Sequence, residues 1–134
     1  MSINLIQSQQ IAEAAIKKAV EIGVPMNIAI MDEGANIKFF IRMDDALLGS
    51  ADIALKKART SSLFSQDSGE IGKISQRGGP LHDIEQTNGG LVSFPGGLVL
   101  RDNADKVIGA VGVSGGAVEQ DYQVASAGAA AYQK

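Results

Sequence analysis

The sequence predicts an α+β fold, a mostly antiparallel β-sheet with helices packed on it. Two stretches, residues 26–44 and the run from Leu91 onward, alternate in pairs about a short polar turn, as hairpins do. Other stretches carry apolar residues at helical spacing, and they separate the two strand pairs. Paired strands between helices favour an antiparallel sheet over the strand-helix alternation of a parallel one. At 134 residues the chain suffices for one ordinary core, so it is read as a single domain, 1–134.

The first helix runs from Asn4 to Ile22, with Ile11, Ala12, Ala15, Ile16 and Ala19 on one face. Asn4 with Gln7 forms a capping box, and Gly23 followed by Pro25 supplies the stop. The first hairpin turns at Asp32, Glu33, Gly34 and Ala35. A second helix is expected to start at Ser50 as N-cap, with Ala51, Ala54, Leu55, Ala58 and Ser62 along a narrow stripe of mostly small side chains. Lys56, Lys57 and Arg59 are read as its solvated face. Asp67 with Glu70 signals a short helix by a second capping box, and turn residues follow from Gly78. From Leu91 a strand, a turn at Asp102 to Asp105 and another strand are expected, then a helix on which Val118, Tyr122, Ala125, Ala129 and Tyr132 keep helical spacing to the C-terminus.

Composition narrows the function. Without cysteine there is no disulfide, thiolate metal site or cysteine nucleophile. The N-terminus has neither a basic segment nor a long apolar one, and no run approaches the roughly 20 apolar residues of a membrane span, so the expected location is the cytoplasm. A net charge of -3 with scattered Lys and Arg gives no footprint for nucleic acid.

The glycine-rich stretch GVSGGAVEQD, residues 112–121, invites a nucleotide reading and fails it. It has no lysine for a Walker loop, and Gly109, Gly112, Gly115 and Gly116 have the wrong spacing for a dinucleotide fingerprint. What remains is a strand-to-helix turn with Glu119 in the first helical turn, where its charge complements the dipole. His82 is the only histidine, which excludes a multi-histidine metal site within one subunit. Its neighbours Asp83 and Glu85 offer at most a weak metal contact, or His82 an axial contact to haem iron. Met43 could also reach such an iron, whereas Met26 and Met31 read as core. Arg42, Asp44 and Asp45 form a compact polar cluster just past a strand, read either as a binding group or as a solvated turn with local ion pairs. No catalytic constellation emerges.

Three ordered blocks carry a resemblance: MDDALLGSADIALKKART at 43–60, FPGG at 94–97 and GVSGGAVEQD at 112–121. Together they resemble the GlcG-like and HbpS-like haem-binding family, which also contains the C-terminal domain of PduO-type corrinoid adenosyltransferases. The resemblance covers nearly the whole chain. It implies a profilin-like fold, assembly as a homo-oligomer, and binding of haem, another tetrapyrrole such as a corrinoid, or a small ligand, without an enzymatic role. The ligand-binding residues expected are Arg42, Asp44, Phe94, Pro95, Gly96, Gly97, Ser114, Gly115 and Glu119, with His82, the lone histidine, as the metal contact; the family's iron ligands are not uniform, so the resemblance itself carries none over. The alternative is an accessory of corrinoid-dependent diol, glycerol or glycolate utilisation that lacks the adenosyl-transferring domain.

Overall fold

The computed structural model describes residues 2–132. The elements in order are α1 (Leu5–Ile22), β1 (Asn27–Asp32), β2 (Ile37–Arg42), α2 (Gly49–Phe64), α3 (Ser68–Ile74), a 3-10 turn (Ile84–Gln86), β3 (Gly97–Arg101), β4 (Val107–Ser114) and α4 (Val118–Ala130). The four strands form one sheet in the order β2-β1-β4-β3, and every neighbouring pair is antiparallel. This is the α+β architecture expected from the sequence.

Both hairpins use one device. Asp32 Oδ1 accepts the N–H groups of Gly34 and Asn36, and Asp102 Oδ1 accepts those of Ala104 and Lys106. The residue three further on, Ala35 or Asp105, takes a left-handed conformation that closes the turn. In each hairpin the register then shifts by a bulge, at Ile30/Met31 and at Leu100/Arg101.

The sheet has two unlike faces. On one, Ile28, Ile30, Leu98, Val111 and Val113 pack with Ile11, Ala15 and Ala19 of α1 and with Val124 and Ala125 of α4, forming the main core. On the other, Ala29 and Met31 meet Ala54 and Ala58 of α2. Gly112 pairs with Ala29 on one side and with Gly97 on the other, so a row of minimal side chains crosses the sheet beneath α2. A Cβ at Gly112 would overlap the carbonyl oxygen of Ala54, and one at Gly97 would lie 2.5 Å from that of Lys57. Helix backbone therefore rests on sheet backbone, which only glycine at those positions permits.

Several local expectations are corrected. Ser50 does not cap α2, which begins one residue earlier and has no side-chain cap; Ser50 sits in its first turn, and its N–H goes to Leu47 O. Asp67 precedes α3 but caps nothing, because its Oδ1 accepts the N–H of Val99 in β3 instead. Residues 91–96 are not strand, since Pro95 has no N–H for a ladder and Gly96 has φ +128°. α4 ends at Ala130, and the last residues of the helix expected there, 133 and 134, lie outside the described ones. Lys57 is not part of a solvated face: it is buried at 1% exposure.

Candidate functional site

The close seat of α2 on β4 explains where Lys57 goes. Its Nζ donates to Val113 O at 2.9 Å and to Asp121 Oδ2 at 2.8 Å, and it lies 5.0 Å from the centre of the Phe94 ring. Asp121, in the first turn of α4, also accepts the N–H of Gly116 on Oδ1 at 2.9 Å. One carboxylate thus ties α2, the strand-to-helix turn and α4 together. Burial pushes the Lys57 ammonium below the usual lysine range, while the hydrogen bond and charge of Asp121 hold it up. Gly96 leaves room for this cluster: a Cβ there would stand 2.6 Å from Lys57 Nζ and 2.7 Å from Val113 O.

The segment Phe94–Gly97 is fixed from the side of α3. Ser68 Oγ donates to Phe94 O at 2.7 Å and accepts the N–H of Gly97 at 2.9 Å. Gly72 of α3 lets the carbonyl of Ser93 come so near that a Cβ would overlap it. Glu85 accepts hydroxyl protons from Ser93 and from Ser75 on the same oxygen, and these bonds hold its carboxyl below the usual range. The long loop is therefore clamped at both ends of residues 93–97.

The clamped segment contributes to two clefts. The inner one, of about 160 Å³, lies over the buried ion pair and is lined by Ser50, Ile53, Phe94, Ser114 and Val118 as well as the pair itself. The outer one, of about 240 Å³, lies between α3 and α4 against Pro95, Gly96 and Gly97, with Lys73 and Tyr122 at its rim. A shallow groove of about 370 Å³ continues from it past Gly72 and Gln76 to Phe94. Phe94, Val118 and Tyr122 are 40%, 37% and 49% exposed, so large apolar groups surround both openings.

The residues singled out in the sequence are only partly brought together. Phe94 and Ser114 meet in the inner cleft, and Pro95, Gly96 and Gly97 line the outer one. Gly115 packs its backbone against Pro25 and Met26. Glu119 is exposed on α4. Arg42 pairs with Asn27, whose other neighbour is Ser114, so Arg42 stands two strands away from the inner cleft. Asp44 and Asp45 are exposed in the following turn, and among the described residues neither they nor Arg42 joins an ion pair. His82 is half-exposed, 3.4 Å from Asp83, and lines neither cleft. Met26 and Met31 are core residues, and Met43 sulfur accepts the N–H of Met26. Among the described residues no group of three or more His, Cys, Asp or Glu is placed to hold a metal, and no helix is long and apolar enough to cross a membrane.

Sequence reasoning missed Lys57, Ser50 and Lys73 as cleft residues. For Lys57 a signal existed: it lies three residues after Ala54 and one before Ala58, on the flank of the small-residue stripe that seats the helix.

A helix-covered antiparallel sheet with a clamped aromatic loop beside two clefts defines a small α+β domain with the features of a ligand-binding protein. Residues 3–130 match the family described as haem degrading protein HbpS-like, and the chain belongs to that family. It is 44% identical over 125 residues to an uncharacterized 15.0 kDa protein from the dhaT-dhaS intergenic region of Citrobacter freundii, covering 92% of this chain and 87% of that one. It is also 36% identical over 133 residues to the corrinoid adenosyltransferase PduO of Citrobacter freundii, covering 98% of this chain but only 39% of that enzyme. Among solved structures, the complex of PduOC with haem superposes with a TM-score of 0.93 at 33% identity, covering 98% of this chain and 95% of that one.

Proposed function

We propose that this protein is a non-enzymatic, homo-oligomeric binder of haem or a related tetrapyrrole, acting in the cytoplasm as one domain, 1–134. The observation that carries the reading is the haem complex of PduOC, whose chain this one follows over nearly its whole length. The outer cleft supports it chemically. Pro95 and the exposed ring of Tyr122 offer an apolar wall, small residues Gly69 and Gly96 keep it open, and Lys73 places an ammonium at the rim. In this reading Pro95 and Tyr122 lie against the porphyrin, with Phe94 at the far end of the adjoining groove, and Lys73 pairs with a propionate. Gly97 lines the same cleft, whereas the remaining residues proposed for the ligand, Arg42, Asp44, Ser114, Gly115 and Glu119, border this end of the sheet outside it.

The direct test is a haemin titration followed in the Soret band. A saturable shift at low micromolar protein is the expected result, and its absence removes the proposal. His82, the chain's one imidazole and the proposed iron contact, lines neither cleft of its own subunit, so in this reading it would reach the iron of a porphyrin held by a neighbouring copy. A Soret band that His82→Ala leaves unchanged takes it out of the site.

A second reading, as an accessory of corrinoid-dependent diol or glycerol utilisation, is favoured by the PduO match and by the dhaT-dhaS setting of the Citrobacter relative. This reading assigns the chain, which spans 39% of the length of PduO, an accessory role without adenosyl transfer. Turnover of cob(I)alamin with ATP by the purified chain would overturn that exclusion.

A further inference from the structure

The inner cleft has a chemistry of its own. Ser50 and Ser114 both line it, at 8% and 4% exposure, and among the described residues neither hydroxyl has a hydrogen-bond partner. Ser114 follows Gly112 on the face of the sheet that bears α2, and Ser50 stands in the first turn of that helix, so the two hydroxyls approach the cleft from opposite layers. Neither oxygen is among the fully buried unpaired polar atoms, Ser2 Oγ, Asn27 Oδ1 and Ser61 Oγ, so each opens into the cleft, where a ligand's oxygens can replace the water it faces.

The floor beside them is electrically balanced. Lys57 and Asp121 are the charged groups lining the cleft, and they are paired with each other at 2.8 Å. An incoming carboxylate would meet the Asp121 carboxylate as well as the Lys57 ammonium, since both line the cleft, and Glu119 stands exposed on the same helix as Asp121. The opposite wall is apolar, made by Ile53, Phe94 and Val118. About 150 Å³ accommodates a molecule of roughly six heavy atoms, and the cleft has about 160 Å³.

We infer that the inner cleft binds a small neutral polyol or hydroxycarbonyl, held by the hydroxyls of Ser50 and Ser114 with its carbon skeleton against Phe94 and Val118. The site is distinct from the outer cleft assigned to a tetrapyrrole and does not depend on it. Hydroxyls both donate and accept, so two of them match adjacent oxygens on a short carbon chain, and the neutral floor selects against the corresponding acid. A ligand of this size binds in the millimolar range.

The test is titration of ¹⁵N-labelled protein with propane-1,2-diol and, separately, with lactate, which has the same skeleton with a carboxylate in place of the terminal CH2OH. The expected result is saturable shifts of the Ser50, Ser114 and Gly116 amides with the diol, weakened about tenfold in the Ser50→Ala/Ser114→Ala double variant. Its unchanged melting temperature would show that the fold is intact, and the single variants serve if the double one is unstable. Shifts that never saturate, meaning a cleft that holds water only, would overturn the inference. So would lactate binding as tightly as the diol, or an alanine variant that binds undiminished. None of these outcomes bears on the haemin titration, so the two proposals fail separately.

Discussion

Lys57 Nζ and Asp121 Oδ2 meet 2.8 Å apart in the interior although 64 residues separate them in the chain. Their side chains are 1% and 5% exposed, so each would be a bare buried charge without the other. The pair joins the helix on one face of the sheet to the helix on the other, around the end of β4.

Removing one member should therefore be costly. Lys57→Met leaves Asp121 buried with only the Gly116 N–H, and we expect a loss of about 3–5 kcal/mol in urea denaturation. Lys57→Met/Asp121→Leu removes both charges and should recover most of that loss. A single variant losing less than about 1 kcal/mol would show that water reaches the orphaned carboxylate.

Glu85 governs part of the acid limb. Its folded carboxyl is held below the ordinary 4.5 by Ser93 and Ser75, so below that value the unfolded chain binds more protons than the native one. The contribution is complete above pH 4.5 and fades as the pH falls through the depressed folded value. Melting temperature against pH should fall less steeply for Glu85→Gln than for wild type in that acid range. Asp102, depressed in the same direction by the N–H groups of Lys106 and Ala104, should keep a further part of the slope until it too is replaced by Asn.

Two glycines should respond oppositely to alanine. Gly112→Ala forces a methyl into the Ala54 carbonyl and must lift α2 from the sheet, for which we expect a loss of at least about 1–3 kcal/mol. Gly49, at the start of the same helix, has open space around its Cβ position and no left-handed φ. Gly49→Ala should leave stability unchanged or raise it by up to about 1 kcal/mol. Parallel thermal melts of the two variants check the contrast.

If haemin binds at the outer cleft, Lys73→Glu should weaken it about fivefold, the scale of a solvent-exposed ion pair, and raising the salt concentration should shrink the difference. Haemin affinity indifferent to this reversal would move the porphyrin away from α3.

Much of the fold was legible because its signals are local. Asn4 Oδ1 accepts the N–H of Gln7 and Gln7 Oε1 accepts that of Asn4, as a capping box requires, and Gly23 closes α1 in the left-handed conformation. Both hairpin turns announced themselves through Asp32 and Asp102. The failures share one cause, a side chain diverted by a partner distant in sequence. Asp67 looked like a cap until β3 arrived to take its oxygen, and Leu91 to Gly96 looked like strand until α3 drew the segment aside. Lys57 looked like its solvated neighbour Lys56, which pairs with Asp52 four residues earlier at 3.1 Å. Nothing local could announce that Asp121 would stand at the end of its reach. The candidate site was correspondingly less legible: its glycines, Phe94 and Ser114 could be picked from the sequence, but not the buried charge pair that forms its floor.

The two faces of the sheet impose opposite rules on variation. Where isoleucine, valine and leucine fill the space toward α1 and α4, a methylene lost at one position can be regained at a neighbour, and the oily layer can be rewritten piece by piece. Under α2 there is no such currency of volume, because main chain touches main chain at Gly97 and Gly112. A drifting sequence can exchange its oil but must keep its rail, and a library randomised over both faces would show tolerance on one and near-silence on the other.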